Sequence, residues 1–338
     1  MAEADRLALA LETGGLTLPD AGDVLVLRAR PARFLELIPP GRLRCEQSFR
    51  PLHDALAAAG LPVAARATGP AAMVVVNLTR SRAENLGEVA RALAMLPTGG
   101  VLAINGAKAD GIDSLVRQIA RVLPPAGTFV KAHGRVVWLQ RPAILPEAVA
   151  AWAAAAAPAR NAEGFVTAPG LFSPEYADPG SRMLAGAVAG RLRGRVADLG
   201  AGWGWLAQAV LASCPQITAL DLHEAEARAL DAARANVTDP RAGFHWSDVA
   251  ALGPGADPYD TIITNPPFHQ DRGADPALGR AFIAAAARIL KPAGQLLLVA
   301  NRQLPYEAEI AARFTAQERL AEDRRFKVIA ATRPRRGR

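Results

Sequence analysis

Residues 259–269 read Tyr-Asp-Thr-Ile-Ile-Thr-Asn-Pro-Pro-Phe-His, a β-branched run followed directly by an amide, two prolines and an aromatic ring. The segment from Tyr259 to Ile263 predicts a strand. Neither Pro266 nor Pro267 can donate a ladder hydrogen bond, so the strand must end before them and the chain must turn rigidly. Because open α/β sheets bind their ligands at the carboxyl ends of their strands, this turn is a candidate binding site.

The residues of the turn are suited to activating an amine. An exocyclic amine on a nucleobase, or an amide nitrogen, is a poor nucleophile because its lone pair is delocalised. The side-chain carbonyl of Asn265 and the backbone carbonyl of Pro266 can accept its N–H groups, and the prolines would hold both acceptors still. Phe268 offers a flat face on which a base can stack, worth roughly 1–3 kcal/mol. The alternative is an ordinary turn around a buried Phe, and the tetrapeptide alone does not separate the two.

A glycine-rich segment lies upstream, where residues 196–204 read Val-Ala-Asp-Leu-Gly-Ala-Gly-Trp-Gly. The pattern predicts a strand, a tight turn and then a helix from Trp205 to Ala212. Gly200 and Gly202 permit the turn and a close approach of the backbone to a ligand. A lone glycine pattern is weak evidence, but its place between a strand and a helix is typical of nucleoside binding.

Two acidic residues follow at predicted strand ends. Asp221 comes directly after the predicted strand Ile217–Leu220, where an acid would accept both hydroxyls of a ribose. Asp248 follows the predicted strand at Phe244 and is placed to accept from an adenine amine. Either acid alone is more often a turn or cap residue. The ordered set of a glycine turn, two acids and the asparagine turn predicts that a nucleoside-type ligand binds here.

The first half of the chain alternates short apolar strands with helices, the pattern of a doubly wound α/β sheet. The predicted strands are Val24–Leu27, Met73–Val76, Val101–Ile104 and Arg135–Leu139, and the predicted helices are Leu52–Ala59, Asn85–Leu96 and Ile112–Leu123. The first strand is followed by Arg28-Ala29-Arg30-Pro31, where a nucleotide-binding turn would need glycines. We therefore expect this half to be a fold without a cofactor site.

At 338 residues, two domains are expected. Residues 150–157 are all Ala except Trp152, a composition that favours helix but offers little to pack against. We predict a first domain over residues 1–142, a helical linker over 143–162 and a second α/β domain over 163–338. In the second domain Asp178 is expected to cap a helix that begins near Arg182. Further predictions there are a helix over 277–290, a turn over 291–294, and strands over 295–301 and 325–330.

The composition is compatible with an anionic partner. Lys and Arg number 39 against 32 Asp and Glu, which gives a formal net charge of +7. Cys45 and Cys214 stand outside any metal-ligand spacing, so a reducing, cytoplasmic setting is expected. The five scattered histidines suggest no metal site. The chain shows neither a signal-peptide pattern nor an apolar run of the roughly 18 residues that a membrane span requires.

These residues together resemble the class I S-adenosylmethionine-dependent methyltransferases of the N-P-P-[FY] type, which methylate amines. The motif residues are Asp198-Leu199-Gly200-Ala201-Gly202-Trp203-Gly204, Asp221, Asp248 and Asn265-Pro266-Pro267-Phe268. More narrowly, the layout is similar to that of the small-subunit ribosomal RNA guanine-N2 methyltransferases (the RsmC family) and their large-subunit relatives. The further matches are Pro-Gly-Leu-Phe-Ser at 169–173, Asp-Pro-Gly-Ser at 178–181, His269, and Val-Ala-Asn-Arg-Gln-Leu-Pro-Tyr at 299–306.

The resemblance is specific over residues 165–330 and weaker before them. It implies two tandem methyltransferase-type domains, of which the N-terminal one is degenerate. Internal comparison supports this organisation, because residues 73–79 and 99–105 run parallel to residues 261–267 and 293–299. The first copy keeps Asn77 at the place of Asn265 but has no prolines after it.

The resemblance implies S-adenosylmethionine as the cofactor and a guanine of ribosomal RNA as the substrate. The implied cofactor contacts are Gly200 and Gly202 with the methionine part, Asp221 with ribose, Asp248 with adenine, and Asp198 or Asp178 with the α-ammonium. The guanine would swing out of its stack, rest on Phe268 and present its amine to Asn265 and Pro266. No strong base is needed because the proton leaves after the methyl group arrives, so His269 is expected to be a structural neighbour.

The implied partner is ribosomal RNA or an assembled ribosomal subunit, and a monomer is the expected state. Other functions stay open: a large-subunit guanine-N2, DNA adenine-N6 or protein glutamine-N5 methyltransferase, or a non-catalytic RNA-binding assembly factor. The glutamine enzymes more typically carry Tyr at the place of Phe268. The family's usual Cys and Asn in the glycine turn are replaced here by Ala201 and Trp203. Trp203 would either narrow the site or stack on the base, so the identity of the substrate stays open.

Overall fold

The structure is a computed structural model that describes residues 5–255, 257–267, 269–270, 273–274 and 276–335. The chain divides into two compact units, the first running to Pro158 and including Ala168–Gly170. The second contains Ala159–Thr167 and continues from Leu171. The first unit therefore extends beyond the domain end that we predicted at residue 142.

The first unit is a seven-stranded sheet with helices on both faces. Its strands are β1 (Val24–Leu27), β2 (Leu43–Glu46), β3 (Val63–Ala64), β4 (Met73–Asn77), β5 (Val101–Ala107), β6 (Gly127–Lys131) and β7 (Gly134–Gln140). Its helices are α1 (Arg6–Glu12), α2 (Arg33–Glu36), α3 (Arg50–Ala58), α4 (Arg82–Met95), α5 (Ile112–Ile119) and α6 (Glu147–Ala156). A single 3₁₀ turn, Lys108–Asp110, precedes α5.

The second unit opens with the short pair β8 (Ala159–Arg160) and β9 (Val166–Thr167) and then forms its own seven-stranded sheet. The sheet strands are β10 (Gly194–Leu199), β11 (Ile217–Glu224), β12 (Ala242–Trp246), β13 (Tyr259–Thr264), β16 (Leu290–Asn301), β17 (Phe314–Glu322) and β18 (Phe326–Pro334). Its helices are α7 (Pro179–Val188), α8 (Trp205–Ser213), α9 (Ala227–Asn236), α10 (Pro276–Ile289) and α11 (Glu307–Arg313). The remaining elements are the 3₁₀ turn Val249–Ala251 and the pair β14 (His269–Gln270) and β15 (Gly273–Ala274).

The two sheets have the same topology. The strand order is β3-β2-β1-β4-β5-β7-β6 in the first and β12-β11-β10-β13-β16-β18-β17 in the second. Five strands of each sheet are parallel, and the last two pair antiparallel as a hairpin. The prediction of two tandem doubly wound domains is therefore confirmed.

The pairing registers align the two asparagines found by internal comparison. Leu27, the last residue of β1, pairs with Val76, and Leu199, the last residue of β10, pairs with Thr264. The residue that follows each of these partners in sequence is an asparagine, Asn77 in the first unit and Asn265 in the second. The two residues hold equivalent positions in their sheets.

Central strands are apolar on both faces because each sheet is covered on both sides. In β4, Val74 and Val76 pack into one core cluster, while Met73 and Val75 pack into the cluster on the opposite face. The second sheet alternates in the same way at Ile262 and Ile263. Burial of one side chain of this size stabilises the fold by roughly 1.5–3 kcal/mol. Parallel strands covered on both faces are therefore apolar along their whole buried length.

The structure differs from the sequence prediction at two connecting segments. Helix α6 forms where a linker was expected, but Val149 and Trp152 are buried in the core of the first unit. Its alanines allow close packing on α4, since a Cβ at Gly87 would lie 2.1 Å from that of Ala156. The turn predicted over 291–294 is instead part of β16, where the pairing register shifts to accommodate it. Among the described residues, no helix is long and apolar enough to cross a membrane.

Candidate active site

The glycine turn after β10 is held by backbone hydrogen bonds to the neighbouring strand β11. The N–H groups of Gly200 and Ala201 donate to the carbonyl oxygen of His223 at 2.8 and 3.2 Å. Gly200 and Gly202 both have left-handed backbones, with φ of 76° and 55°. A Cβ at Gly202 would meet no atom within 4 Å, which leaves the backbone open to a ligand on that side.

The asparagine turn begins where β13 ends, beside the glycine turn. The hydroxyl of Thr264 donates to the carbonyl oxygen of Leu199 at 2.7 Å and ties the ends of β13 and β10 together. Asn265 follows directly, and Pro266 is buried. Phe268 lies outside the described residues, so its predicted stacking role stays a prediction.

The side chain of Asn265 is held by the start of α7. Its Nδ2 donates to Asp178 Oδ1 at 2.8 Å and to Ser181 Oγ at 2.9 Å. Asp178 is the N-cap of α7 and also accepts from the backbone N–H of Ser181 at 3.0 Å. The cap predicted at Asp178 is confirmed, and its carboxylate binds the amide of the asparagine turn as well.

A single cavity brings five of the predicted site residues together: Asp178, Asp198, Gly200, Gly202 and Asn265. The rest of its lining comes from the lead-in loop (residues 171–178), α7, the glycine turn and the start of α8, as Phe172, Ser173, Ser181, Ala201, Trp203, Trp205 and Leu206. Asp221 and Asp248 lie outside this set. Because one cavity joins the glycine turn to Asn265, a molecule on the turn can reach the asparagine.

Asp198 is the most unusual group of the cavity. It is 1% exposed, and neither carboxylate oxygen has a hydrogen-bond partner in the described structure. Burial, reinforced by the nearby charge of Glu224, raises its pKa to about 8. A buried carboxyl without partners is costly unless a ligand supplies a donor or a positive charge. An ammonium group would supply both, and the resemblance implies the α-ammonium of S-adenosylmethionine at Asp198 or Asp178; this contact stays a prediction.

Asp221 does not end its strand, contrary to our prediction. Strand β11 continues to Glu224, and the side chain of Asp221 belongs to a polar network. Its carboxylate accepts from His245 Nε2 at 2.8 Å, from Arg195 at 2.8 and 3.2 Å, and from the hydroxyl of Tyr259 at 3.0 Å. The hydrogen bond from His245, followed by that from Arg195, holds the pKa of Asp221 well below its ordinary range. These partners stabilise the fold, and the predicted contact of Asp221 with ribose stays a prediction.

The same network explains why polar residues occur inside a strand. His223, two residues along on the same face, contacts Ser247 Oγ and the hydroxyl of Tyr259, each at 3.0 Å. Burial lowers the pKa of His223 to about 4, so the ring is neutral at physiological pH. Asp221 was predicted at the end of a strand, whereas it lies inside β11 and belongs to a buried polar layer.

Glu224 holds the place that the sequence analysis gave to Asp221. It is the last residue of β11, and its Oε2 accepts from the N–H of Gly202 at 2.8 Å. Its Oε1 accepts from the N–H of Glu226 at 2.8 Å, and burial raises its pKa. The alternation of the strand through Leu220 and Leu222, both buried, was the signal that could have identified it.

Asp248 stands beyond the carboxyl end of β12, as predicted. Its carboxylate accepts from the backbone N–H of Ala250 at 2.9 Å and caps the turn Val249–Ala251. This arrangement matches the turn-cap alternative. The predicted contact with adenine stays a prediction. In the described part of the chain, no cluster of three or more His, Cys, Asp or Glu side chains could hold a metal ion.

Trp203 anchors the lead-in loop beside the glycine turn. Its indole N–H donates to the carbonyl oxygen of Phe172 at 2.9 Å, and its ring lies 5.3 Å from that of Phe165. Trp203 is buried, whereas Phe172 and Tyr176 on the anchored loop are each 58% exposed. Among the described residues of the second unit, they are the large apolar side chains that remain most exposed.

The strand order, together with a glycine turn and an asparagine-proline turn at adjacent strand ends, defines a class I methyltransferase-type protein. Residues 163–330 match the family described as "Methyltransferase small domain". The chain belongs to the ribosomal RNA small subunit methyltransferase C family, because it is 34% identical to the member from Chromohalobacter salexigens over 72% of this chain and 73% of that protein. The member from Idiomarina loihiensis is 29% identical over 71% of this chain and 72% of that protein.

A solved structure has the same two-unit fold. It is the T. thermophilus 16S rRNA N2 G1207 methyltransferase (RsmC) in complex with AdoMet and guanosine, with a TM-score of 0.78. The match covers 98% of this chain and 92% of that one at 24% identity. At this identity the likeness is one of fold.

Proposed function

We propose that this protein transfers a methyl group from S-adenosylmethionine to the exocyclic N2 amine of a guanine in small-subunit ribosomal RNA. One observation carries the proposal: Asn265, the glycine turn and the partnerless carboxylate of Asp198 line the same cavity. The same cavity thus offers a site for a cationic nucleoside and an acceptor for the hydrogens of an amine. The names of the relatives supply the guanine and the small subunit.

The cofactor would be held at the ends of β10, β11 and β12. Gly200 and Gly202 would lie against its methionine part, and Asp198 would receive the α-ammonium. Glu224 takes the ribose role that the sequence assigned to Asp221, because it ends β11 and contacts Gly202. Asp248 is the acceptor proposed for the adenine amine. When bound, S-adenosylmethionine supplies an electrophilic methyl group.

The chain contributes orientation and electrostatics at the amine. Asn265 Oδ1 and the carbonyl oxygen of Pro266 accept the two N–H groups, which localises the nitrogen lone pair. The amide of Asn265 is already held by Asp178 and Ser181, so little reorganisation of this acceptor accompanies the reaction. The proton lost from the methylated nitrogen passes to water, and we assign no side chain as a base.

Phe172 and Phe268 are the proposed base-stacking residues. Phe172 stands at the cavity on a loop anchored on both sides, by Trp203 at its own carbonyl and by Thr167 at the carbonyl of Pro174. A guanine swung out of an RNA stack needs such a face before it reaches Asn265. The ring is exposed and the backbone of Phe172 is already fixed, so little conformational entropy is lost when a base stacks on it.

The partner is ribosomal RNA or an assembled small subunit, met in the cytoplasm by a monomer. The net charge of +7 favours association with RNA. We propose that the N-terminal unit is the degenerate methyltransferase-like domain and that the catalytic domain starts near residue 163. The first unit would enlarge the surface that contacts RNA.

A tritiated-methyl transfer assay tests the function. Separate reactions contain small subunits, naked 16S rRNA, large subunits, DNA and a release factor, and the labelled product is digested and chromatographed. We expect N2-methylguanosine from small-subunit RNA. Asn265→Ala should lower the rate by about a hundredfold or more while cofactor affinity stays nearly constant. Label in another acceptor would establish one of the other methyltransferases, and cofactor binding without transfer to any acceptor would favour an assembly factor.

A further inference from the structure

The orientation of the Asn265 amide is decided by its neighbours. Asp178 Oδ1 accepts from the backbone N–H of Ser181 at 3.0 Å, and the atom of Asn265 that lies 2.8 Å from the same oxygen is Nδ2, which donates to it. Ser181 Oγ, at 2.9 Å, takes the second N–H of the same group. Both donors of the amide are thereby used on α7, and Oδ1 becomes the end available as an acceptor.

The opposite orientation would be unproductive. If the amide rotated by half a turn, Asn265 would present N–H groups to an incoming amine and its oxygen would face the carboxylate. The hydrogen bonds of the asparagine turn itself do not prevent that rotation, since the Thr264 hydroxyl bonds to Leu199 and not to the amide. The start of α7 therefore supplies the constraint.

The carboxylate that provides this constraint is itself fixed. Asp178 Oδ1 accepts from both the Ser181 backbone and Asn265, so a single oxygen caps the helix and orients the amide. Gly180 leaves it room: a Cβ at that position would stand 2.9 Å from Asp178 Oδ1 and 3.2 Å from the Phe326 ring. The close approach is compatible only with a residue that lacks a side chain.

We propose that Asp178 and Ser181 are positioning residues, which hold the Asn265 amide so that its oxygen faces the substrate amine. The proposal rests on the function proposed above and replaces the expected contact of Asp178 with the cofactor. Asp178 acts through Asn265 and does not touch the reacting atoms. The position of its Oδ1 matters more than its charge, because this one oxygen accepts the hydrogen bonds of both Ser181 and Asn265.

Two substitutions at Asp178 separate these roles. Asp178→Asn keeps an oxygen at the Oδ1 position, so it can cap α7 and still accept from Asn265. Asp178→Ser also caps a helix well, but its shorter side chain does not reach the amide. Asp178→Asn should retain kcat within about tenfold, whereas Asp178→Ser should lose about tenfold to a hundredfold in kcat with KM nearly constant.

The outcomes are distinguishable. A tenfold or greater loss of cofactor affinity in Asp178→Asn, with kcat intact at saturating cofactor, would establish a direct cofactor contact instead. Wild-type kcat in Asp178→Ser would overturn the positioning role. Thermal unfolding of both variants checks that the capped helix is retained.

A second readout does not depend on methyl transfer. The side-chain amide of Asn265 gives an ¹⁵N–¹H pair in the NMR spectrum, assigned by its disappearance in Asn265→Ala. In the wild type and in Asp178→Asn, its two protons should exchange slowly with solvent, and in Asp178→Ser they should exchange rapidly. Rapid exchange in the wild type would refute the proposal. An inactive wild type with slow exchange would instead count against the proposed function alone.

Discussion

Arg28 occupies in the first unit the position that Gly200 occupies in the second. Each residue directly follows the last residue of the central strand, β1 or β10, and each has a left-handed backbone, with φ of 52° and 76°. A glycine adopts this conformation freely, whereas another residue is strained by roughly 1–2 kcal/mol. The strain at Arg28 must therefore be offset by contacts of its side chain.

The contacts of Arg28 are made at the end of β1, the position in the first unit that corresponds to the glycine turn. The guanidinium of Arg28 pairs with Glu84 at 2.5 Å and with Glu88 at 3.7 Å, both on α4. Asn77, the counterpart of Asn265, donates to the carbonyl oxygens of Leu27 and Arg28 at 3.2 and 3.3 Å. Arg28 and Asn77 thus contact groups of their own unit, whereas Gly200 and Asn265 line a cavity, which is a physical reason for the proposed degeneracy of the first unit.

At position 28, glycine should give a more stable protein than alanine, the reverse of the usual order of stability. Removing one partner of a buried ion pair costs about 3–5 kcal/mol, and both variants lose that pair. Arg28→Ala keeps the left-handed strain, while Arg28→Gly relieves it. We expect Arg28→Gly to be more stable than Arg28→Ala by up to about 1 kcal/mol in urea unfolding. An alanine variant that matches or exceeds the glycine variant would contradict this account.

The buried carboxyl of Asp198 predicts that cofactor binding releases a proton. Its pKa of about 8 means that the group is mostly protonated at pH 7 in the free protein. A cationic ligand beside it favours the ionised form, so the proton leaves on binding. Calorimetric titrations at pH 7 in two buffers of different ionisation enthalpy should reveal the release. Asp198→Asn should bind with the same heat in both buffers.

The same group makes stability depend on pH. The unfolded carboxyl ionises near its ordinary pKa of about 4, while the folded one stays protonated up to about pH 8. Between these values the folded state binds more protons, so the contribution of Asp198 to stability falls as the pH rises through this window and is level above it. Asp198→Asn should remove that part of the slope in chemical unfolding. An unchanged slope would show that Asp198 ionises normally.

The sequence predicted well those elements whose residues are apolar on both faces. Strand β1 was placed at its observed bounds, and β4, β10 and β13 to within two residues, because buried parallel strands are short apolar runs. Strand β17 was missed, since most of its residues are exposed and polar at the sheet edge. Its composition carries no periodic signal, and only pairing with β18 makes it a strand.

The site was predictable where chemistry and local geometry coincide in a few consecutive residues. The glycine turn and Asn265 are such cases, and the structure brings both to one cavity. The hydrogen bonds of Asn265 with Asp178 connect residues 87 positions apart, and no local pattern indicates such a contact. The proposed ribose contact moves from Asp221 to Glu224 because β11 ends at Glu224. Side-chain polarity alone does not show where a strand ends.

Glu224 and Asp221 should respond differently to removal of their charges. Glu224→Gln keeps an oxygen for the Gly202 N–H but weakens the bonds to the ribose hydroxyls, so cofactor affinity should fall about tenfold or more. Asp221→Asn should leave affinity nearly constant and cost about 1–3 kcal/mol of stability, because Arg195 and His245 lose an ionised partner. Titration calorimetry and thermal unfolding of both variants measure the two effects. If Asp221→Asn lowered cofactor affinity and Glu224→Gln did not, the ribose contact would belong to Asp221.

Phe172 should contribute to RNA recognition without affecting the cofactor. Its ring is 58% exposed at the cavity, while its carbonyl oxygen is held by Trp203. Stacking of a base on an aromatic ring is worth roughly 1–3 kcal/mol, so Phe172→Ala should raise KM for RNA by roughly 5- to 150-fold. The Trp203 hydrogen bond involves only the backbone and should survive the substitution. Cofactor affinity should therefore stay constant, and Phe172→Trp should preserve KM.

The control removes another exposed apolar side chain, away from the cavity. Ile144 is 87% exposed in the first unit and lies outside the residues that line the cavity. Ile144→Ala should leave KM and kcat at wild-type values. If Phe172→Ala also left KM unchanged, the guanine would have to approach Asn265 without touching the lead-in loop. If instead Phe172→Ala lowered cofactor affinity, the ring would belong to the cofactor site, because only a ligand already seated on the glycine turn could then be contacting it.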